Sequence, residues 1–194
     1  MILHSPWLLA ATAVLWPPMP TPRRLKLAFK EPRTHSRDPV ALFKSWRNWI
    51  DLVRSIAGVY LLTRFAVIAD PDTPGGGLKA MMVIAGVICA GMLLQTVRFD
   101  GKVHFVAPLF YSSGLTLMLS GYVTGGFALF VGWLFTMAGK NIQLQLPVML
   151  VALAIGGFLL DRNLALIVNC ALISIPLLLP VLFRQPLRFI VNPT

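Results

Sequence analysis

Charge is scarce in this chain. Only 12% of its 194 residues are Asp, Glu, Lys or Arg, where a water-facing domain carries roughly 25%. So few charges cannot coat a soluble surface, and lipid is the expected solvent for much of the molecule. Acids are scarcer still. Seven are present, and none falls in the middle of an apolar stretch. This argues against pumps and proton-coupled carriers, whose relays place carboxylates inside the membrane. Cysteine is limited to Cys89 and Cys170. Both lie in apolar stretches without CxxC spacing, where a thiol behaves as a small hydrophobe. The three histidines, His4, His35 and His104, are scattered, so no metal site is expected, because such a site needs several converging ligands.

Catalytic motifs are missing as well. Gly75-Gly76-Gly77 has no following Lys and Ser/Thr, so it is not a phosphate-binding loop. Ser112, Ser113, Thr116 and Ser120 have no histidine in register, because His104 is two or more helical turns away on the same stretch. No catalytic residue, metal or cofactor is assigned, and enzymatic activity is disfavoured.

What the chain does have is a series of long apolar stretches separated by short links. The expected spans are 52–69, 78–97, 103–119, 122–138, 146–160 and 164–183, each near the length that crosses a bilayer. The breaks fall at Asp70-Pro71-Asp72, at Asp100-Gly101, in the polar run from Gly139 to Gln145, and at Asp161-Arg162-Asn163. This predicts an all-α membrane protein, a six-span bundle built of three antiparallel hairpins. Five or seven spans are the competing counts.

Residues 1–39 form a separate N-terminal segment, and residues 40–194 the membrane domain. Trp7 to Trp16 is apolar but too short to span. It reads as an interfacial segment, as an atypical targeting peptide, or as untranslated sequence upstream of a true start at Met19, the last being slightly favoured. Thr21 to Pro39 is basic and broken by prolines, which suggests a mobile cytoplasmic arm. From Val40 to Gly58, polar residues recur at helical spacing opposite Phe43, Trp46, Trp49, Ile50 and Val53. An amphipathic interfacial helix is therefore expected before the first span. Its Lys44, Arg47, Arg54, Trp46 and Trp49 are placed on anionic headgroups.

The net charge of +10 could suggest nucleic acid, but its distribution points to a membrane. Nine of the 17 basic residues lie between Arg23 and Arg54. With that arm inside, the inner links hold fourteen Lys and Arg and the outer links two, Lys79 and Arg162. This positive-inside bias predicts both termini in the cytoplasm, and the tight short turns without a large soluble domain suit a bacterial inner membrane. Expected partners are the anionic bilayer and either a membrane-protein partner or a second copy of the chain.

A few polar residues interrupt the spans. Arg64 is read either as reaching to the outer headgroups or as an internal cation facing the bundle. Gln95 and Asn169 are lone amides. Ser112 and Thr116 share one face with Ser120 at intervals of four residues. They are read as packing contacts or as the wall of a narrow polar pathway. Pro176 and Pro180 mark a bent or broken last helix. Two functional classes follow. The preferred one is a non-catalytic accessory or structural component that binds a membrane partner or lipid. The other is a small channel or transporter for an anionic or uncharged solute.

Overall fold

The structure, a computed structural model, describes residues 2–16, 39–69, 75–100, 102–160, 164–184 and 187–188. The proposed start at Met19, the basic arm up to Asp38, and the Asp70–Asp72 and Asp161–Asn163 links lie outside these residues.

The order is β1 (Ile2–Leu3), α1 (Ser5–Leu15), α2 (Pro39–Lys44), α3 (Trp46–Leu61) and a π-helical turn (Leu62–Ala66). Then come β2 (Val67–Ile68), α4 (Gly76–Thr96), β3 (Val97–Asp100), β4 (Lys102–Val106), α5 (Leu109–Leu119) and α6 (Gly121–Ala138). A 3-10 turn (Ile142–Leu144), α7 (Gln145–Leu160), α8 (Leu164–Leu182) and β5 (Leu187–Arg188) complete it. The architecture is all-α and membrane-like, with short strand pairings at its ends. Among the described residues, three helical stretches are long and apolar enough to cross a membrane: Gly76–Thr96, Gly121–Ala138 and Ile142–Leu159.

The other three expected spans take different forms. The first does not follow a separate interfacial helix. One helix starts at Trp46 and runs through the π turn to Ala66, about 30 Å at 1.5 Å per residue. The break comes earlier, at Ser45, whose backbone is extended (φ −82°, ψ 112°). There Asn48 donates to the Leu42 carbonyl (2.8 Å) and the Trp49 indole to the Phe43 carbonyl (3.0 Å). Both bonds satisfy carbonyls left open at the end of α2. The third span is shortened to α5 because Lys102–Val106 pairs with Val97–Asp100 as an antiparallel hairpin. Asp-Gly between two β-branched, aromatic runs is a hairpin turn signal, and it overrides the helical reading of 103–106. The sixth forms α8 with Pro176 and Pro180 inside it.

The first expected hairpin is not a packed pair either. α3 packs on α1 and α5, whereas α4 packs mainly on α8. α1 runs antiparallel to α3: Ile2 pairs with Ile68 and Leu3 with Val67, and the His4 amide donates to the Ala66 carbonyl (3.0 Å). At the other end of the chain, Leu187 pairs with Phe105. β4 leads into α5, whose Phe110 meets Phe43 and Trp49 at the start of α3. Ile2 and Leu187 therefore sit at opposite ends of the bundle.

α5 is the hub of the bundle, and every side chain from Leu109 to Thr116 is buried. Small residues let its neighbours close in, as helices do in lipid. A Cβ added to Gly114 would run into the Ser55 hydroxyl of α3 and lie 2.8 Å from the Leu52 carbonyl. One added to Gly125 of α6 would lie 2.6 Å from the Thr116 carbonyl. The α5–α6 reversal turns on Gly121, whose φ of 73° favours glycine. Two apolar clusters flank α5. One joins α2, α5, α6, α7 and α8 around Phe110, Met149 and Leu153. The other joins α1, α3, α4, α5 and α8 around Leu15, Val59 and Met92.

Candidate functional site

The polar side chains of the bundle gather around α5. Towards α7, the hydroxyls of Ser112 and Ser113 both donate to the Leu109 carbonyl (2.9 and 2.8 Å), and Thr116 donates to the Ser112 carbonyl (2.8 Å). These bonds stay within the helix, so the oxygens keep free lone pairs facing outward. Gln145 uses one: its Nε2 donates to Ser113 Oγ at 3.3 Å. Met149 Sδ lies 3.7 Å from Thr116 Oγ1. At the far end of α5, Asn169 of α8 donates through Nδ2 to Ser120 Oγ.

Four buried polar atoms in this region have no hydrogen-bond partner: Gln145 Oε1, Asn169 Oδ1, Gln95 Nε2 and Tyr111 Oη. A buried group without a partner costs about 1–3 kcal/mol. All four lie on α5 or on helices that share a buried cluster with it. Two are acceptors, on the α7 and α8 sides. Two can donate, on the α4 side. Helices α4 to α8 carry no Asp or Glu, so the ring of groups is uncharged. Among the described residues, no three His, Cys, Asp or Glu side chains come together as a metal site would require.

The structure sorts the residues singled out from the sequence. Ser112, Thr116, Gln95 and Asn169 all line α5 or its neighbours and are buried. Pro176 and Pro180 are buried in α8, beyond Asn169. Arg64 is not part of this group. It lies exposed in the π turn, on the outer surface of the bundle. Lys44 and Arg47 are exposed, and Trp46 is 74% exposed. Trp49 joins an aromatic cluster with Phe43 and Phe110, their ring centroids 5.5–5.9 Å apart.

Arg54 has inward work. Its Nε donates to the Val14 carbonyl (3.1 Å), one terminal nitrogen to the Trp16 carbonyl, and the other to Asp51 Oδ1 (3.0 Å). It thereby satisfies open carbonyls at the end of α1, where a cation also suits the helix dipole.

Three contributors escaped the sequence reading. Gln145 was counted as the end of a polar link, although its spacing of four from Met149 already put it on an inward face. Tyr111 passed as one more apolar aromatic. The role of Arg54 could not be seen without α1.

No family model and no solved structure matches the chain. Over 130 residues, 66% of its length, it is 31% identical to an uncharacterized transporter of Corynebacterium diphtheriae. The matched stretch covers 21% of that protein, so the chain spans about a fifth of the relative's length.

Proposed function

We propose that this chain is a membrane transport component that passes a small hydrogen-bonding solute along the buried polar faces of α5. The observation that carries the reading is the ring of four unpartnered polar atoms around that helix. A solute arriving there meets donors and acceptors whose desolvation is already paid, which lowers the cost of taking it out of water. The similarity to a transporter supports the same reading. The accessory role preferred from the sequence draws no support from that similarity.

The absence of carboxylates in α4 to α8 favours passive, uncoupled passage over proton coupling. In this proposal the long apolar helices α4, α6 and α7 lie across a bacterial inner membrane, with the basic end inside. Lys44, Arg47, Trp46 and Trp49 meet anionic headgroups there.

Purified protein in liposomes tests the reading with glycerol, acetamide and acetate as probes. Flux of at least one probe, reduced severalfold by Asn169→Leu and by Gln145→Leu, is the expected result. No flux of any probe, or flux untouched by both substitutions in folded protein, refutes it.

A further inference from the structure

Tyr111 Oη, Trp16 and Leu15 converge on one point of α4. Measured from where a Cβ on Gly91 would stand, the hydroxyl is 2.6 Å away, Trp16 Cδ1 3.5 Å and the Leu15 carbonyl 3.8 Å. Gly91 leaves the space that the hydroxyl occupies. Tyr111 is 1% exposed, and its hydroxyl has no partner. Gln95, four residues on and so on the same face of α4, is 4% exposed, and its Nε2 also has no partner. Two buried groups able to donate, one from α5 and one from α4, thus belong to one face of α4 a helical turn apart, where the carboxyl end of α1 comes down. That end is rich in acceptors. Arg54 takes the carbonyls of Val14 and Trp16, and the Leu15 carbonyl, between them in sequence, lies near the same point of α4 as the Tyr111 hydroxyl, which has no hydrogen-bond partner.

We infer that the carboxyl end of α1 is a displaceable plug over a donor-lined subsite formed by Tyr111 and Gln95, which receives an acceptor oxygen of an uncharged solute. The inference rests on the transport reading and narrows its solute class. The surroundings support an uncharged solute. Arg54 is already paired with Asp51. An alcohol or amide oxygen can replace the neutral carbonyls of α1 there, while a full anion would bear a far larger desolvation cost in a buried site.

The plug is lightly held. Of α1, only Ala11 and Leu15 are buried. Leu15 fills the notch left by Gly58, where a Cβ would lie 2.5 Å from Leu15 Cγ. Its further ties include the Arg54 bonds, the two-residue β1–β2 pairing, the His4–Ala66 bond and the Trp7–Phe65 ring contact. A short helix with few fully buried side chains is able to open without global unfolding. Arg54 is then a positioning residue that seats the plug.

The Gly58 notch also supplies the test. The Cβ atoms of residues 15 and 58 would be about 3.3–4.0 Å apart, within the range of a disulfide. Full-length Leu15→Cys/Gly58→Cys, with Cys89→Ser and Cys170→Ser, locks α1 when oxidised. With Gln95→Cys added, alkylation of residue 95 by N-ethylmaleimide, read by mass spectrometry, is expected to be at least tenfold slower oxidised than reduced. Leu15→Ala in the singly reactive Gln95→Cys background should speed it severalfold. Equal rates in all three states overturn the plug.

Flux without the Gln95 substitution separates the two readings. Gated alkylation with no flux of any probe leaves the plug standing and sinks transport. Flux that persists through the oxidised lock, with ungated alkylation, does the reverse. A subsite that takes uncharged oxygen also predicts that acetamide or glycerol outpaces acetate, and acetate passing fastest overturns the solute class.

Discussion

Gly114→Ala is the sharpest available test of the packing. The added methyl would run into the Ser55 hydroxyl and lie 2.8 Å from the Leu52 carbonyl and 3.1 Å from Ser55 Cβ. A flexible side-chain tip can move aside, but a carbonyl within a helix cannot. α3 and α5 must therefore part by several tenths of an ångström. Overpacking typically costs about 1–3 kcal/mol and occasionally more. With backbone as the obstacle, and with α5 touching several helices, we expect about 3 kcal/mol, which is more than 100-fold in the folded ratio.

Ser55→Ala separates the two causes. Alone it loses only a bond within its own helix, Ser55 Oγ to the Leu52 carbonyl at 2.8 Å, worth about 1 kcal/mol or less. Combined with Gly114→Ala it removes the hydroxyl clash and leaves the carbonyl. The double mutant should recover about 1 kcal/mol of the loss and no more, a coupling of the size seen between touching residues. Reversible unfolding in mixed detergent–SDS micelles, followed by circular dichroism, measures all three variants. Gly114→Ala within about 0.5 kcal/mol of the parent, the ordinary range for an uncoupled surface change, would refute the close α3–α5 approach.

Three further outcomes can be checked in the same assays. Asn169→Leu should lose the bond to Ser120 and cost about 0.6–1.7 kcal/mol, the range for such bonds between membrane helices, while lowering flux. Gln95→Leu removes an unpartnered buried donor, so stability should hold or rise by up to about 1 kcal/mol as flux falls; stability and flux falling together would point to damage instead. Arg64→Leu, on an exposed side chain, should leave both stability and flux unchanged, and a loss of flux in folded protein would return Arg64 to the site.

Much of the helix layout could be read directly. α4, α6, α7 and α8 begin and end within two residues of the apolar stretches read from sequence, because Gly, Pro and charged residues bound those stretches sharply. The shortening of the third helix was less visible. Residues 103–106 are apolar enough for a span, and only the pairing partner Val97–Asp100 decides for strand. α1 was hardest to place. Eleven residues cannot cross a bilayer, and nothing local shows that Leu15 fits a notch at residue 58. The site divides the same way. Asn169, Gln95, Ser112 and Thr116 stood out as polar letters in apolar text. Tyr111 did not, because a phenol in a span looks apolar until its hydroxyl is found facing a glycine. Arg54 looked like an interfacial cation because its acceptors are carbonyls some forty residues away in sequence.

The antiparallel docking of α1 on α3 also sets an order on biogenesis. α1 has no seat when it leaves the ribosome. Its strand partner is Val67–Ile68, its notch is Gly58 and its anchor is Arg54, all still to be synthesised. At about 5–20 residues per second, the α1 segment waits several seconds before its binding surface exists. It must then return to a helix that is itself being inserted. α1 is therefore made well before it can settle, and a chaperone or insertase that shields an orphaned apolar helix has its window there.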